Sequence, residues 1–164
     1  MKTLKVILFF IVIMSSCTST QNVINDNSTD QVLKKELIGT WDFEILKDKN
    51  GVKVDTIFHK FGPEIPKGPT ITFNEDGTYS KQFTPQNIDT GKWYYDNKEN
   101  AIKYLLYYKK PYGKAAQYLI KKGHAQKDKK GNYYEVLTER IYKLDQERLT
   151  IIEREERRRT FRKR

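Results

Sequence analysis

The sequence predicts an all-β domain, an antiparallel up-and-down barrel of about eight to nine strands behind a short N-terminal helix, with a two-sheet sandwich as the alternative. Three observations carry this. From Gly39 onward apolar residues alternate with polar ones, as Trp41, Phe43 and Ile45 do against Asp42 and Glu44. Turn signals recur at hairpin spacing, at Asn50-Gly51, Asn74 to Gly77, Asp96 to Asn100 and Asp145 to Arg148. No sustained helical period interrupts the body of the chain. Hairpins in series form a meander, and a long meander rids itself of exposed edges most simply by closing.

The first 16 residues stand apart from this pattern. Lys2 and Lys5 precede the unbroken apolar run Val6 to Met14, and Ser15 and Ser16 follow it immediately before Cys17. This is the three-part layout of an export signal. As a helix the run reaches only roughly 14 Å, about half the hydrocarbon thickness of a bilayer, so it cannot span alone. Met14-Ser15-Ser16-Cys17 resembles the bacterial lipobox, and the resemblance implies that Cys17 takes a diacylglycerol and becomes the mature N-terminus. The chain is then expected in a bacterial cell envelope as a membrane-anchored lipoprotein, on the periplasmic or the surface side. The alternative is an ordinary secretory signal cut after small residues. Acylation also accounts for a single cysteine in an oxidising compartment.

Residues 17–30 are polar and turn-prone, and read as a flexible tether. Ser28 or Asp30 is placed to cap a short helix ending at Leu37, with Gly39 as its stop. The barrel domain is expected over residues 31–155. A first hairpin pairs residues 40–47 with 52–58 around Asn50-Gly51. The Gly- and Pro-rich stretch Phe61 to Pro69 reads as a long loop. Strands follow at Thr70 to Phe73, Thr78 to Thr84, Lys92 to Tyr95, Ala101 to Tyr108, Ala115 to Lys121, Tyr133 to Leu144 and Leu149 to Glu155. Residues 156–164, rich in Arg, read as a solvated basic tail suited to anionic surfaces.

Gly39-Thr40-Trp41 opens the first strand, a second G-x-W stands at Gly91-Lys92-Trp93, and Tyr142-Lys143-Leu144 with Leu149 to Ile152 forms a closing hairpin. With Ile71 to Tyr79, these residues resemble the lipocalin-like lipoproteins of bacterial envelopes across roughly residues 37 to 152. The resemblance implies a barrel whose base is closed by Trp41, a structural residue, around a cavity for a small, mostly apolar molecule.

Composition limits the chemistry. A chain of 164 residues allows one domain. It carries 31 Lys and Arg against 21 Asp and Glu, a net +10, and losing Lys2 and Lys5 with the leader leaves +8. One cysteine excludes a disulfide scaffold, and His59 and His124 have no ligand-spaced neighbours, so neither metal nor cofactor is expected. Ser80 lacks recognisable His and acid partners, and no enzyme activity is expected. From Lys92 to Tyr134 tyrosines and lysines are interleaved. They suit stacking on sugars, gripping a carboxylate or holding nucleic acid, but equally reflect strand propensity and edge protection. Export from the cytoplasm argues against nucleic acid and for anionic head groups or acidic glycans.

Alternation on Tyr133 to Leu144 places Glu135, Glu139 and Lys143 outside and Tyr134, Val136, Thr138, Arg140, Tyr142 and Leu144 inside. Ile102, Tyr104, Leu106 and Tyr108 form the inward face of a neighbouring strand. Arg140 among Tyr104, Tyr134 and Tyr142 is therefore the candidate site, an anion hook for a small amphipathic ligand. The expected function is a lipid-anchored binding protein. The alternative is a filled-barrel interaction protein that docks on an envelope protein or glycan, and a filled interior would favour it.

Overall fold

The computed structural model describes the backbone of residues 26–164 and side chains from Val32 onward. The leader, Cys17 and the start of the expected tether lie outside the described residues. Helix α1, Asp26–Leu37, begins ahead of the expected cap and packs against the barrel beside β6 and β9. The strands are β1 (Gly39–Lys47), β2 (Ile57–His59), β3 (Gly62–Glu64), β4 (Thr70–Phe73), β5 (Thr78–Thr84), β6 (Asn87–Asp96), β7 (Ala101–Tyr107), β8 (Gln126–Lys127), β9 (Tyr133–Leu144), β10 (Arg148–Ile152) and β11 (Arg158–Lys163). Among the described residues no helix is long and apolar enough to cross a membrane.

Eight of these strands close an antiparallel barrel in the order β1-β4-β5-β6-β7-β9-β10-β11, with β11 returning to β1. Strand β8 adds to the edge of β9, while β2 and β3 form a separate two-stranded sheet. Neighbours in the barrel are consecutive along the chain apart from the inserted β2–β3 hairpin and β8, as a meander requires.

Three expectations are corrected. Residues 156–164 are no frayed tail: β11 fills the gap between β10 and β1, with Phe161 fully buried opposite both Phe43 and Leu149. An arginine-rich segment reads as solvated, but here every second side chain turns inward while Arg162 and Arg164, on the outer face, meet acids on β1. Arg162 reaches Glu44 at 2.6 Å and Arg164 reaches Asp42 at 2.9 Å. The segment Ala115 to Lys121 is not a strand but most of helix α2, Lys114–Lys121. Its Ala, Gln, Leu and Lys residues are good helix formers, and local preference prevails where no neighbouring strand competes. Finally, Asn50-Gly51 makes its turn, but residues 52–56 pair with β1 through only a single bridge, Lys47 with Lys53. The chain then leaves the barrel to form β2 and β3.

The base is plugged from several directions. Gly39, at φ +127°, turns the chain from α1 into β1 in a conformation side chains resist. Trp41 then lies fully buried, its indole N–H donating to the Leu37 carbonyl at 2.7 Å. From β11 the Lys163 ammonium sits 5.0 Å from the Trp41 ring centroid and donates to the Glu36 carbonyl at 2.8 Å. Above Trp41 the interior is filled by rings in contact, Phe73 with Trp93 at 4.7 Å and Tyr79 with Tyr104 at 4.8 Å between centroids. Gly91 permits this packing, because a Cβ there would fall 3.0 Å from the Tyr79 ring and 2.2 Å from the Leu105 carbonyl oxygen.

Trp41→Ala and Phe161→Ala should each lower stability by ~3 to 5 kcal/mol in urea unfolding, as expected for buried aromatics truncated in a packed core. Ending the chain after Arg157 should abolish the cooperative transition, since it leaves β1 and β10 with open edges.

Candidate functional site

The two ends of the barrel differ. The connections β4 to β5, β6 to β7 and β9 to β10 are tight turns at the base, beside α1. The connections β1 to β4, β7 to β9 and β10 to β11 are longer and rim the other end. Inward positions near that rim carry charge.

Lys81 alternates with Tyr79 on β5 and so faces inward, only 8% exposed. Its ammonium donates to Glu139 Oε1 at 2.8 Å, and the Tyr104 hydroxyl donates to Glu139 Oε2 at 2.7 Å. The same ammonium lies 3.7 Å from the Tyr104 ring centroid. Arg159, inward on β11, pairs with Glu153 in the turn beyond β10. Burial governs the titration of this group. It pulls Lys81 below the ordinary lysine range, with Glu139 opposing the shift. It pushes Tyr104 well above the ordinary phenol range, reinforced by the charge on Glu139. Tyr79 is pushed up to about 12, first by burial and then by Asp89, Glu139 and Glu135.

Glu139 also reaches a recess. β10 ends at Ile152, opposite Arg140, so the first half of β9 runs on with no β10 partner and the wall parts. A recess of about 480 Å³ lies there, lined by Thr138, Glu139, Ile151, Ile152, Glu153, Arg154 and Arg157. Its far side is a tight turn with Glu155 and Glu156 at φ near +60°. A smaller recess, about 250 Å³, sits between β6, β7 and α2 beside Asp89, Leu106 and Ala116. The Tyr108 hydroxyl on its wall is buried and has no hydrogen-bond partner among the described residues.

The expected anion hook is not assembled. Arg140 is exposed on the outer face, Tyr142 lies outside beneath the Arg158 guanidinium at 4.2 Å, and Tyr134 packs on Tyr107 across the outer surface at 5.3 Å. Of the four residues only Tyr104 points inward. The physical reason is a bulge. Lys143 pairs with Thr150 but Ile141 pairs with Ile151, leaving Tyr142 as an extra residue. One inserted residue reverses the face of everything before it, so Leu144 and Ile141 both face in and the inward set continues as Glu139, Leu137 and Glu135. A second bulge acts likewise on β1, where Glu44 is extra, Phe43 and Leu46 face in, and Ile45 faces out.

Sequence reasoning missed Lys81 and Glu139, although the alternation of Tyr79 and Lys81 was there to read. Alternation put Glu139 outside; in the structure Lys81 opposite offsets the cost of burying its carboxylate. The Lys163 ammonium over the Trp41 ring likewise has no signal in the local sequence. Among the described residues no three His, Cys, Asp or Glu side chains gather as a metal site requires.

Glu139→Gln leaves the Lys81 ammonium buried without its counter-charge and should cost about 2 to 4 kcal/mol at neutral pH. Lys81 then binds its proton less well folded than unfolded, so the variant's stability should rise as pH climbs from the folded-state pKa toward that of free lysine. The double change Lys81→Met with Glu139→Leu should recover most of the loss. Urea titrations at neutral and alkaline pH measure both effects.

No known family model matches the chain, and neither does any curated protein. Two solved structures are similar to it. One is described as a lipocalin-like protein from Bacteroides uniformis ATCC 8492, at 18% identity and a TM-score of 0.43, covering 79% of this chain and 99% of that one. The other is an uncharacterized protein from Bacteroides eggerthii DSM 20697, at 15% identity and a TM-score of 0.41, covering 78% and 99%.

Proposed function

We propose that this chain is a lipid-anchored, non-enzymatic binding protein of a bacterial cell envelope, taking a small amphipathic ligand at the open end of its barrel. The observation that carries the reading is the parted wall between β9 and β10. There Ile152, half-buried at the end of β10, meets a rim bearing Arg154 and Arg157, with Glu139 and Glu153 also in the lining. An apolar tail fits against Ile152, and a carboxylate or phosphate head fits the guanidinium groups of Arg154 and Arg157. The packed rings around Tyr104 exclude a ligand from the base, so the site is shallow. Anchoring rests on the sequence: Lys2, Lys5, the apolar run and Met14-Ser15-Ser16-Cys17 form a leader ending at an acylatable thiol.

The second reading, a filled barrel acting through its outer surface, draws on those same packed rings. Native mass spectrometry of protein released gently from its own membranes separates the two. A small-molecule adduct that is lost in Arg157→Gln supports the rim site. A bare mass, together with a melting temperature unmoved by added fatty acid or lysophospholipid, overturns it. For the anchor, Cys17→Ala should leave unprocessed precursor and abolish incorporation of labelled palmitate, and unchanged labelling would reject the assignment.

A further inference from the structure

Two insertions project from the open end of the barrel, and neither is used by the ligand reading. The first is the β2–β3 hairpin, whose strands pair only with each other. His59 pairs with Gly62, so Lys60 and Phe61 are its two turn residues, with Gly62 at φ +115° closing the turn. Its large apolar side chains point into solvent: Phe61 is 90% exposed, Phe58 81% and Ile65 68%. The Lys60 ammonium lies 4.8 Å from the Phe61 ring centroid. The second insertion joins β7 to β9 and contains α2. Between Lys109 and Lys130 it carries eight lysines, all exposed, against one acid, Asp128.

We propose that this end of the barrel is a docking face for an anionic lipid bilayer, with Phe58 and Phe61 entering the interface and the lysines of the β7–β9 connection lying over the head groups. Strand direction places both insertions on one side of the molecule. β1 and β7 run the same way, so the connections that leave Lys47 and Tyr107 emerge from the same rim, the end away from α1 and Trp41. The fold gains nothing from two phenyl rings held in water at a hairpin tip, whereas an aromatic ring flanked by lysine suits the depth where hydrocarbon gives way to head groups. The lysines are spread along a helix and two loops with one acid among them. A diffuse charge of this kind complements a diffuse anionic surface better than the fixed pattern of charges on a protein partner. The inference concerns surfaces outside the ligand recess, and it holds whether or not Cys17 is acylated.

The test uses the chain from Thr18 to Arg164. The eight strands of the barrel and the plugging helix lie within residues 26–164, so this chain carries the closed barrel and no lipid. It should cosediment with mixed phosphatidylcholine and phosphatidylglycerol vesicles, less at raised salt, and little with phosphatidylcholine alone. The pair Phe58→Ser and Phe61→Ser, with an unchanged circular dichroism spectrum, should weaken partitioning at least about tenfold. Lys121→Glu with Lys122→Glu should weaken it and flatten the salt dependence. Trp41 and Trp93 are buried, so in Phe61→Trp a blue shift of emission on adding vesicles reports insertion of the tip. Equal binding to neutral vesicles overturns the proposal, as does binding indifferent to the Phe substitutions. Binding to dextran sulfate without binding to vesicles also overturns it and marks the lysines as a soluble polyanion site.

Discussion

The pairing of β1 with β11 holds the rest of the structure in place. It turns an open meander into a barrel, and it brings Phe161 against Phe43 and Lys163 over Trp41. Without it both strands would present free backbone edges, and Trp41 would lose the ammonium that covers its ring and ties β11 to the end of α1. The contact is held outside as well as inside. Arg162 of β11 meets Glu44 of β1, Arg164 just beyond β11 meets Asp42, and Arg148 of β10 joins at Glu44. These exposed pairs contribute little individually, but they select one register. A slip by one residue would turn Phe161 to solvent and arginines into the core.

Closure divides the interior into a dry half and a charged half. Below Tyr104 the side chains are aromatic and aliphatic apart from Lys163, and the indole N–H groups of Trp41 and Trp93 are satisfied by the Leu37 and Asn74 carbonyls. At Tyr104 the character changes, because its hydroxyl needs a partner and finds Glu139, which in turn holds Lys81. An ion pair so placed adds little net stability, since desolvation consumes most of the attraction. Its effect lies in shape: it keeps Glu139 at the back of the recess, where an aliphatic pair would collapse together.

Much of this fold was legible in the sequence, for reasons specific to its residues. Gly39-Thr40-Trp41 marked the entry to β1, the turn at Asn74 to Gly77 marked the β4–β5 hairpin, and alternation put Ile102 and Tyr104 inside. The failures have physical sources too. A bulge has no reliable signature in composition, and Tyr142 and Glu44 each reversed a face that simple alternation had assigned. The arginine-rich end disguised a strand as a tail because Glu44 and Asp42, the acidic partners of Arg162 and Arg164, lie more than a hundred positions away in the chain. The candidate site suffered most, since its assignment depended on parity across Tyr142 and on a carboxylate whose counter-ion sits on a different hairpin.

The same long reach has a consequence for how the protein is made. Trp41 and Lys163 are adjacent in space, yet the whole barrel wall separates them along the chain. Loop-closure entropy opposes so distant a pairing, and such topologies fold slowly. During synthesis, and during passage across a membrane if the leader directs it there, β1 must wait with an unpaired hydrophobic edge until residue 163 has emerged. In that interval the exposed edge is open to wrong pairing, and a nascent chain halted short of β11 has no closed state to reach.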